Sequence, residues 1–218
     1  YTIDSNIRYS RFWDKFFIKG YDKKTLINST EIQTKRFKKF YIYFPQFHNI
    51  PLNNINFYDG FTDIINLDKL YNTNYMEEVL TPNFNEFDMS AIKDYDVIKN
   101  ENIINNQYRI LQENNIDGFA CYYYWFSKNT VTKENMVMKP AIDKLFEKGN
   151  SSEKKIFFIW ANEAWTNNVS FSCLNGFIEN NYDEVSFNEN FINLLHYFKQ
   201  ECYLKINNKP VFMIYHMY

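Results

Sequence analysis

Ile156-Phe157-Phe158-Ile159-Trp160-Ala161-Asn162-Glu163-Ala164-Trp165-Thr166 decides the fold class. Its first four residues form an unbroken apolar run, the pattern of a strand buried on both faces of a parallel sheet. The run then gives way to an indole, a carboxamide, a carboxylate and a second indole. In α/β folds, ligands bind beyond the carboxyl ends of the parallel strands. This stretch therefore delivers polar and stacking groups to the rim where binding occurs. Glu163 can give or take a proton, Asn162 can hold a hydroxyl, and Trp160 and Trp165 offer flat apolar faces. That combination suits a sugar ring.

Outward from this strand, the same pattern recurs. Phe40-Tyr41-Ile42-Tyr43-Phe44 reads as a first strand, ended by Pro45, which cannot continue a central ladder. Ile116 to Phe126 reads as a second, and Val211-Phe212-Met213-Ile214-Tyr215, opened by Pro210, as a fourth. Helical periodicity fills the gaps. One helix is expected over about 94–115, with Val97, Ile104, Tyr108 and Leu111 inward. A second spans about 134–148, with Met138, Ile142 and Leu145 inward and Gly149 as its C-terminal cap. A third starts at Ser186-Phe187-Asn188-Glu189, which has the form of a capping box, and buries Phe187, Phe191, Leu194 and Phe198. Strands alternating with helices predict a parallel sheet covered by helices.

The expected fold class is α/β, a parallel (β/α)8 TIM-type barrel of which about the first four βα units are present. Such a barrel needs roughly 250 residues, and the chain has 218. A complete four-stranded doubly wound sheet is the alternative. The half barrel is favoured because the fourth strand is too apolar for an exposed edge. Residues 1–36 lack a sustained period and read as an N-terminal extension or the tail of a preceding domain. Residues 37–218 read as the N-terminal half of the barrel. A first residue that is Tyr and not Met suggests a piece of a longer chain.

Composition narrows the functional classes. The net charge of −2 gives no electrostatic reason to expect nucleic acid or an anionic membrane as partner. The basic cluster Lys35-Arg36-Phe37-Lys38-Lys39 abuts the first strand and reads as a solvated lead-in. No apolar run approaches the ~20 residues that span a bilayer. Cys121, Cys173 and Cys202 are odd in number and widely spaced, so neither a disulfide framework nor a metal site is expected. Free thiols fit a reducing, cytoplasmic setting. Asn-X-Ser/Thr triplets at Asn28, Asn150 and Asn168 are what chance gives in so Asn-rich a chain. No phosphate loop, nucleophile elbow or dinucleotide fingerprint occurs, and no cofactor is expected.

Among residues that could carry chemistry, Glu163 comes first, as an acid/base or auxiliary carboxylate. Usual glycosyl hydrolysis needs two carboxyls roughly 5–9.5 Å apart. Asp59, Asp63 and Asp117 could approach the rim, but none sits in a comparable strand-end motif. Tyr122-Tyr123-Tyr124-Trp125-Phe126 ends the second strand. Alternation points Tyr122 and Tyr124 one way, Tyr123 and Trp125 the other. Tyr124 and Trp125, nearest the carboxyl end, are candidate ligand contacts. His48 follows the first strand. His196 and His216 lie on the last helix and after the last strand, so no metal cluster is formed.

These pieces, in this order, resemble the WbsX family, a glycoside hydrolase family 99-like domain of polysaccharide-biosynthesis loci. The resemblance spans about residues 38–218. Tyr43-Phe44-Pro45-Gln46-Phe47-His48 is similar to the family's Leu-Pro-Gln-Phe-His, and Gly60-Phe61-Thr62 to its Gly-Phe-Thr-Glu-Trp. Ile116-Asp117-Gly118-Phe119 matches Ile-Asp-Gly-Phe, and Tyr122 to Phe126 matches an aromatic strand. Trp160 to Thr166 is similar to Trp-Ala-Asn-Glu-Asn-Trp-Thr, and Lys209-Pro210-Val211-Phe212 to the run before the next barrel strand. Three departures are Asp63-Ile64 for Glu-Trp, Ala164 for Asn, and the missing Arg-Arg-Trp after Thr166.

The resemblance implies a carbohydrate-active domain acting on glycosidic bonds of complex or surface polysaccharides, hydrolytic when full length. A glycosyltransferase role in polysaccharide biosynthesis and a non-catalytic glycan-binding barrel are the alternatives. The hydrolase family's catalytic pair lies in a late Glu-Trp-x-Glu motif, which these residues lack. The expected partner is an oligo- or polysaccharide, bound by His48, Tyr124, Trp125, Asn162 and Trp165 with Glu163 beside them.

Overall fold

The computed structural model describes residues 37–65, 95–126, 135–164 and 183–217. Expectations for residues 1–36, Trp165 and Cys173 fall outside them. The described elements lie in a compact unit that begins at Lys39.

Four parallel strands form its centre: β1 (Phe40–Tyr43), β2 (Gly118–Trp125), β4 (Lys155–Trp160) and β7 (Phe212–Ile214), hydrogen-bonded in that order. The short β3 (Met136–Val137) runs antiparallel to the end of β2. Between them come α1 (Pro51–Asn56), α2 (Glu101–Glu113), α3 (Lys139–Asn150) and α4 (Glu184–Phe198). A hairpin of β5 (Lys205–Ile206) and β6 (Lys209–Pro210) turns through Asn207 and Asn208. Both have positive φ, 51° and 62°, as a two-residue type I′ turn requires.

Strand pairing fixes which side chains share a face. Phe119, Cys121 and Tyr123 align with Ile156, Phe158 and Trp160, while Ala120 and Tyr122 align with Phe157 and Ile159. Helices cover the first face. The Tyr108 ring of α2 lies 5.4 Å from Phe119, Phe146 of α3 5.3 Å from Phe158, and Tyr197 of α4 5.2 Å from Phe158. Edge-to-face and tilted ring pairs of this kind add about 0.5–1.5 kcal/mol each beyond area burial. The other face carries Phe40 against Phe157 at 5.1 Å, and its Ile42 and Met213 are exposed. A doubly wound sheet would place helices on both faces. Here α2, α3 and α4 all lie on one, and strand order follows chain order. The arrangement is compatible with part of a (β/α) barrel.

Two glycines permit close approach. A Cβ on Gly118 would lie 1.7 Å from the Lys155 carbonyl oxygen of the adjacent strand. At Gly149 it would meet Ile156 Cδ1 and the Tyr108 hydroxyl, both at 2.9 Å.

The helices differ from expectation at their ends. Val97 is buried in the turn before α2, its N–H donating to the Phe47 carbonyl at 2.9 Å. Met136 and Val137 form a strand, and α3 starts only at Lys139, with Pro140 in its first turn. Gly149 lies inside α3 and is not its cap, which is Ser151. Its value there is absent bulk, not positive φ. At the start of α4 the cap is Asp183, whose carboxylate accepts the Ser186 N–H at 2.8 Å. The capping box expected at Ser186 is thus displaced by three residues. Phe187 and Phe191 are exposed, and the buried face of α4 is Ser186, Asn190, Leu194 and Tyr197. The polar residues go inward because they have partners: Asn190 and Asn193 both bond the Tyr123 hydroxyl, and Tyr197 bonds Asp143. Pro210 pairs in the hairpin and precedes β7 without opening it.

Candidate functional site

The carboxyl ends of β4 and β7 lie side by side. Tyr215 N–H donates to the Trp160 carbonyl at 2.9 Å, the last backbone rung between them. Beyond it a side chain continues the ladder. The Asn162 carboxamide donates from Nδ2 to the His216 carbonyl and accepts the His216 N–H on Oδ1, both at 2.8 Å. Asn162 is buried, as a carboxamide satisfied in this way can be.

With its backbone held there, His216 places Nε2 3.2 Å from Glu163 Oε2, both side chains 44% exposed. A carboxylate can only accept, so Nε2 carries the proton in this pair. Around it stand three phenols. Tyr122 and Tyr124 belong to the sheet face away from the helices, and Tyr215 follows β7. Tyr122 and Tyr215 rings are 5.9 Å apart, Tyr215 and His216 4.4 Å, and Phe44 approaches both Tyr122 and Tyr124 at about 6 Å. Burial raises the Tyr124 phenol above its ordinary range, and the neighbouring Glu163 raises it further. Tyr122 is raised by burial, then by Tyr215 and Glu163. These hydroxyls stay protonated and serve as donors. The site is one half-exposed carboxylate with an imidazole beside it and aromatic walls.

The sequence candidates divide. Glu163 and Tyr124 come together. Asn162 sits beneath them with its amide engaged by His216. Trp125 lies at the same end of β2 on the helix-covered face, buried in the main core. His48 is buried near Asp96, in the segment leading to α2. Burial depresses its basicity, Asp96 and the Pro45 carbonyl partly offsetting this. Asp117 precedes β2, at the opposite rim, and accepts the Lys39 N–H at 2.9 Å. Asp59 accepts from Asn54 at 3.2 Å. His216, Tyr215 and Tyr122 were not singled out in the sequence. The strand-end rule applied to 211–215 finds Tyr215 and alternation along 122–125 finds Tyr122, whereas His216 emerges only through its bonds to Asn162.

Among the described residues, no group of three or more His, Cys, Asp and Glu could hold a metal ion, and no helix is long and apolar enough to cross a membrane. A groove between α2 and α3, lined by Glu101, Lys144 and Glu147 among others, belongs to the helical layer.

The chain is 22% identical over 178 residues to the uncharacterized protein WxcX of Xanthomonas campestris pv. campestris, in two strains. The match covers 79% of this chain and 23% of each relative, so the chain spans less than a quarter of their length. No solved structure matches it. A family described as Glycosyltransferase WbsX matches residues 39–218. The chain belongs to that family.

Proposed function

We propose that the rim at the ends of β4 and β7 is a saccharide site at which Glu163 acts as general base on a glycosidic centre. The observation that carries this reading is the half-exposed Glu163–His216 pair among Tyr122, Tyr124 and Tyr215. The Nε2–H of His216 occupies Oε2 and leaves Oε1 for an incoming hydroxyl. That hydroxyl gives its proton to Glu163 as its oxygen bonds the anomeric carbon. The bond from that carbon to the leaving oxygen breaks, and the leaving oxygen keeps the electron pair. General-base assistance of this type contributes typically 10²–10⁴-fold. Phenol faces stack on the apolar side of the ring, and their hydroxyls bond its edge. Trp125 and His48 have no direct sugar contact on this reading.

The wider reading is a (β/α) barrel segment. Its support is the sequential, one-sided winding and the exposed Ile42 and Met213 on the open face. The attacking hydroxyl is water in a hydrolase and a sugar hydroxyl in a transferase. The family's description favours transfer. The test is to incubate the intact protein with neutral hexose oligosaccharides, with and without nucleotide-activated hexose donors, and to analyse the products. New reducing ends without donor mean hydrolysis; donor-dependent chain extension means transfer. Glu163→Gln should lower either by about 10²-fold or more. Unchanged turnover in that variant would discard the assignment.

A further inference from the structure

The contact between Glu163 and His216 is set by a third residue, which bonds the His216 backbone. His216 lies just past β7, where the backbone ladder with β4 has ended: the last rung is Tyr215 N–H to the Trp160 carbonyl. Past that rung the Asn162 carboxamide holds the His216 backbone. It takes both polar groups of the His216 backbone at once, with two 2.8 Å bonds of opposite sense. A single bond would leave a hinge. Two antiparallel bonds fix the plane of the His216 peptide groups, and so the direction of its Cα–Cβ bond. Asn162 is itself anchored, buried and with its N–H on the Trp160 carbonyl at 3.0 Å. Glu163 is the next residue, so one rigid dipeptide carries the carboxylate and the group that aims its partner.

We infer that Asn162 is a positioning residue, a side-chain splint that sets the His216 imidazole on Glu163 and leaves one carboxylate oxygen for the reacting hydroxyl. This rests on the catalytic reading above for its consequence, but not for its geometry. Among the common side chains only Asn, at this reach, offers a donor and an acceptor in one plane. Gln offers the same groups one methylene further out. Asp supplies the acceptor but no donor.

The test separates geometry from chemistry. First, the intact protein carrying imidazole ¹⁵N labels is compared with Asn162→Ala and Glu163→Ala by long-range ¹H–¹⁵N correlation. In the parent protein the His216 Nε2 should carry a proton hydrogen-bonded to Glu163. Both variants should lose that hydrogen-bonded Nε2 signature. His48 and His196 serve as internal controls and should keep their signals. If Asn162→Ala retains the parent His216 signature, the splint is wrong whatever the activity does. Second, turnover is measured in the assay above. Asn162→Ala should lower kcat about 10–100-fold with KM changed less than about threefold, the scale of a displaced orienting group. The double variant Asn162→Ala/His216→Gln should be no slower than His216→Gln alone, because both remove the same contact. Additive losses would overturn action through His216. If the His216 signature shifts as described while no variant alters turnover, the splint stands and the catalytic reading falls.

Discussion

The Tyr123 hydroxyl on β2 donates to Asn190 Oδ1 on α4 at 2.5 Å, and both residues are buried. This bond, backed by Asn193 Nδ2 at 3.1 Å, ties the last helix to the sheet through polar groups. It also explains why α4 turns Phe187 and Phe191 outward. Rotating those rings inward would strip Asn190 and Tyr123 of partners in a dry interface, at a cost of about 1–3 kcal/mol per orphaned group.

Tyr123→Phe should therefore destabilise the unit by about 1–3 kcal/mol, because the Asn190 carbonyl stays buried without its donor. Phe191→Ser, at an exposed position, should change stability by less than about 0.5 kcal/mol. Urea unfolding followed by circular dichroism measures both. A reversed order would mean that the apolar stripe of α4 faces the core after all.

How far the sequence was legible follows from such pairs. Strands were readable because runs such as Ile156–Ile159 have no other low-energy place than a sheet interior. The helix pattern held at Leu194 and Phe198 but failed at Phe187 and Phe191, because periodicity counts apolar residues and is blind to a buried Asn satisfied by a Tyr sixty-seven positions away. Glu163 and Tyr124 were visible as strand-end groups. His216 was not, because its importance arises from the Asn162 bonds, which only the side-by-side ends of β4 and β7 create. Trp125 and Tyr124 are neighbours in sequence and lie on opposite faces, so strand parity, not proximity to the rim, decides which can meet a ligand.

The glycine of Ile116-Asp117-Gly118-Phe119 has a steric cause. Gly118→Ala drives a methyl to 1.7 Å from the Lys155 carbonyl, backbone that cannot step aside without breaking the β2–β4 pairing. The expected result is no cooperatively folded protein. Gly149→Ala is the milder case. It gains up to about 1 kcal/mol of helix propensity but meets Ile156 and Tyr108, and overpacking costs typically 1–3 kcal/mol. A net loss is expected, read as a lower Tm. A rise in Tm would show that the Ile156 and Tyr108 side chains give way freely.

His48 gives a pH dependence of defined sign. Burial holds its folded-state value below the ordinary 6.5. Between those two values the unfolded chain binds more protons than the folded one, so stability rises with pH across that window. The His48 contribution is fully present above about pH 6.5 and is lost as pH falls toward the folded-state value. His48→Gln should flatten this part of the stability–pH curve, with His196 and His216 common to both proteins. Denaturation midpoints between pH 5 and 8 measure the difference. A curve for His48→Gln parallel to that of the parent would show that His48 titrates alike in both states.

Tyr215 and Trp125 separate binding from packing. Tyr215 is half-exposed beside His216 and Tyr122, so Tyr215→Ala should cost little stability. Loss of one stacking ring worth about 0.5–1.5 kcal/mol should weaken oligosaccharide binding about 2- to 12-fold. Trp125, buried on the helix-covered face, is expected to behave oppositely. Trp125→Phe leaves a void against the helices and lowers stability, while affinity stays within about twofold. Titration calorimetry with the neutral hexose oligosaccharides, paired with thermal unfolding, reads both quantities on the same samples. Weaker binding in Trp125→Phe at unchanged Tm would move the sugar to the helix side of β2 and away from Glu163.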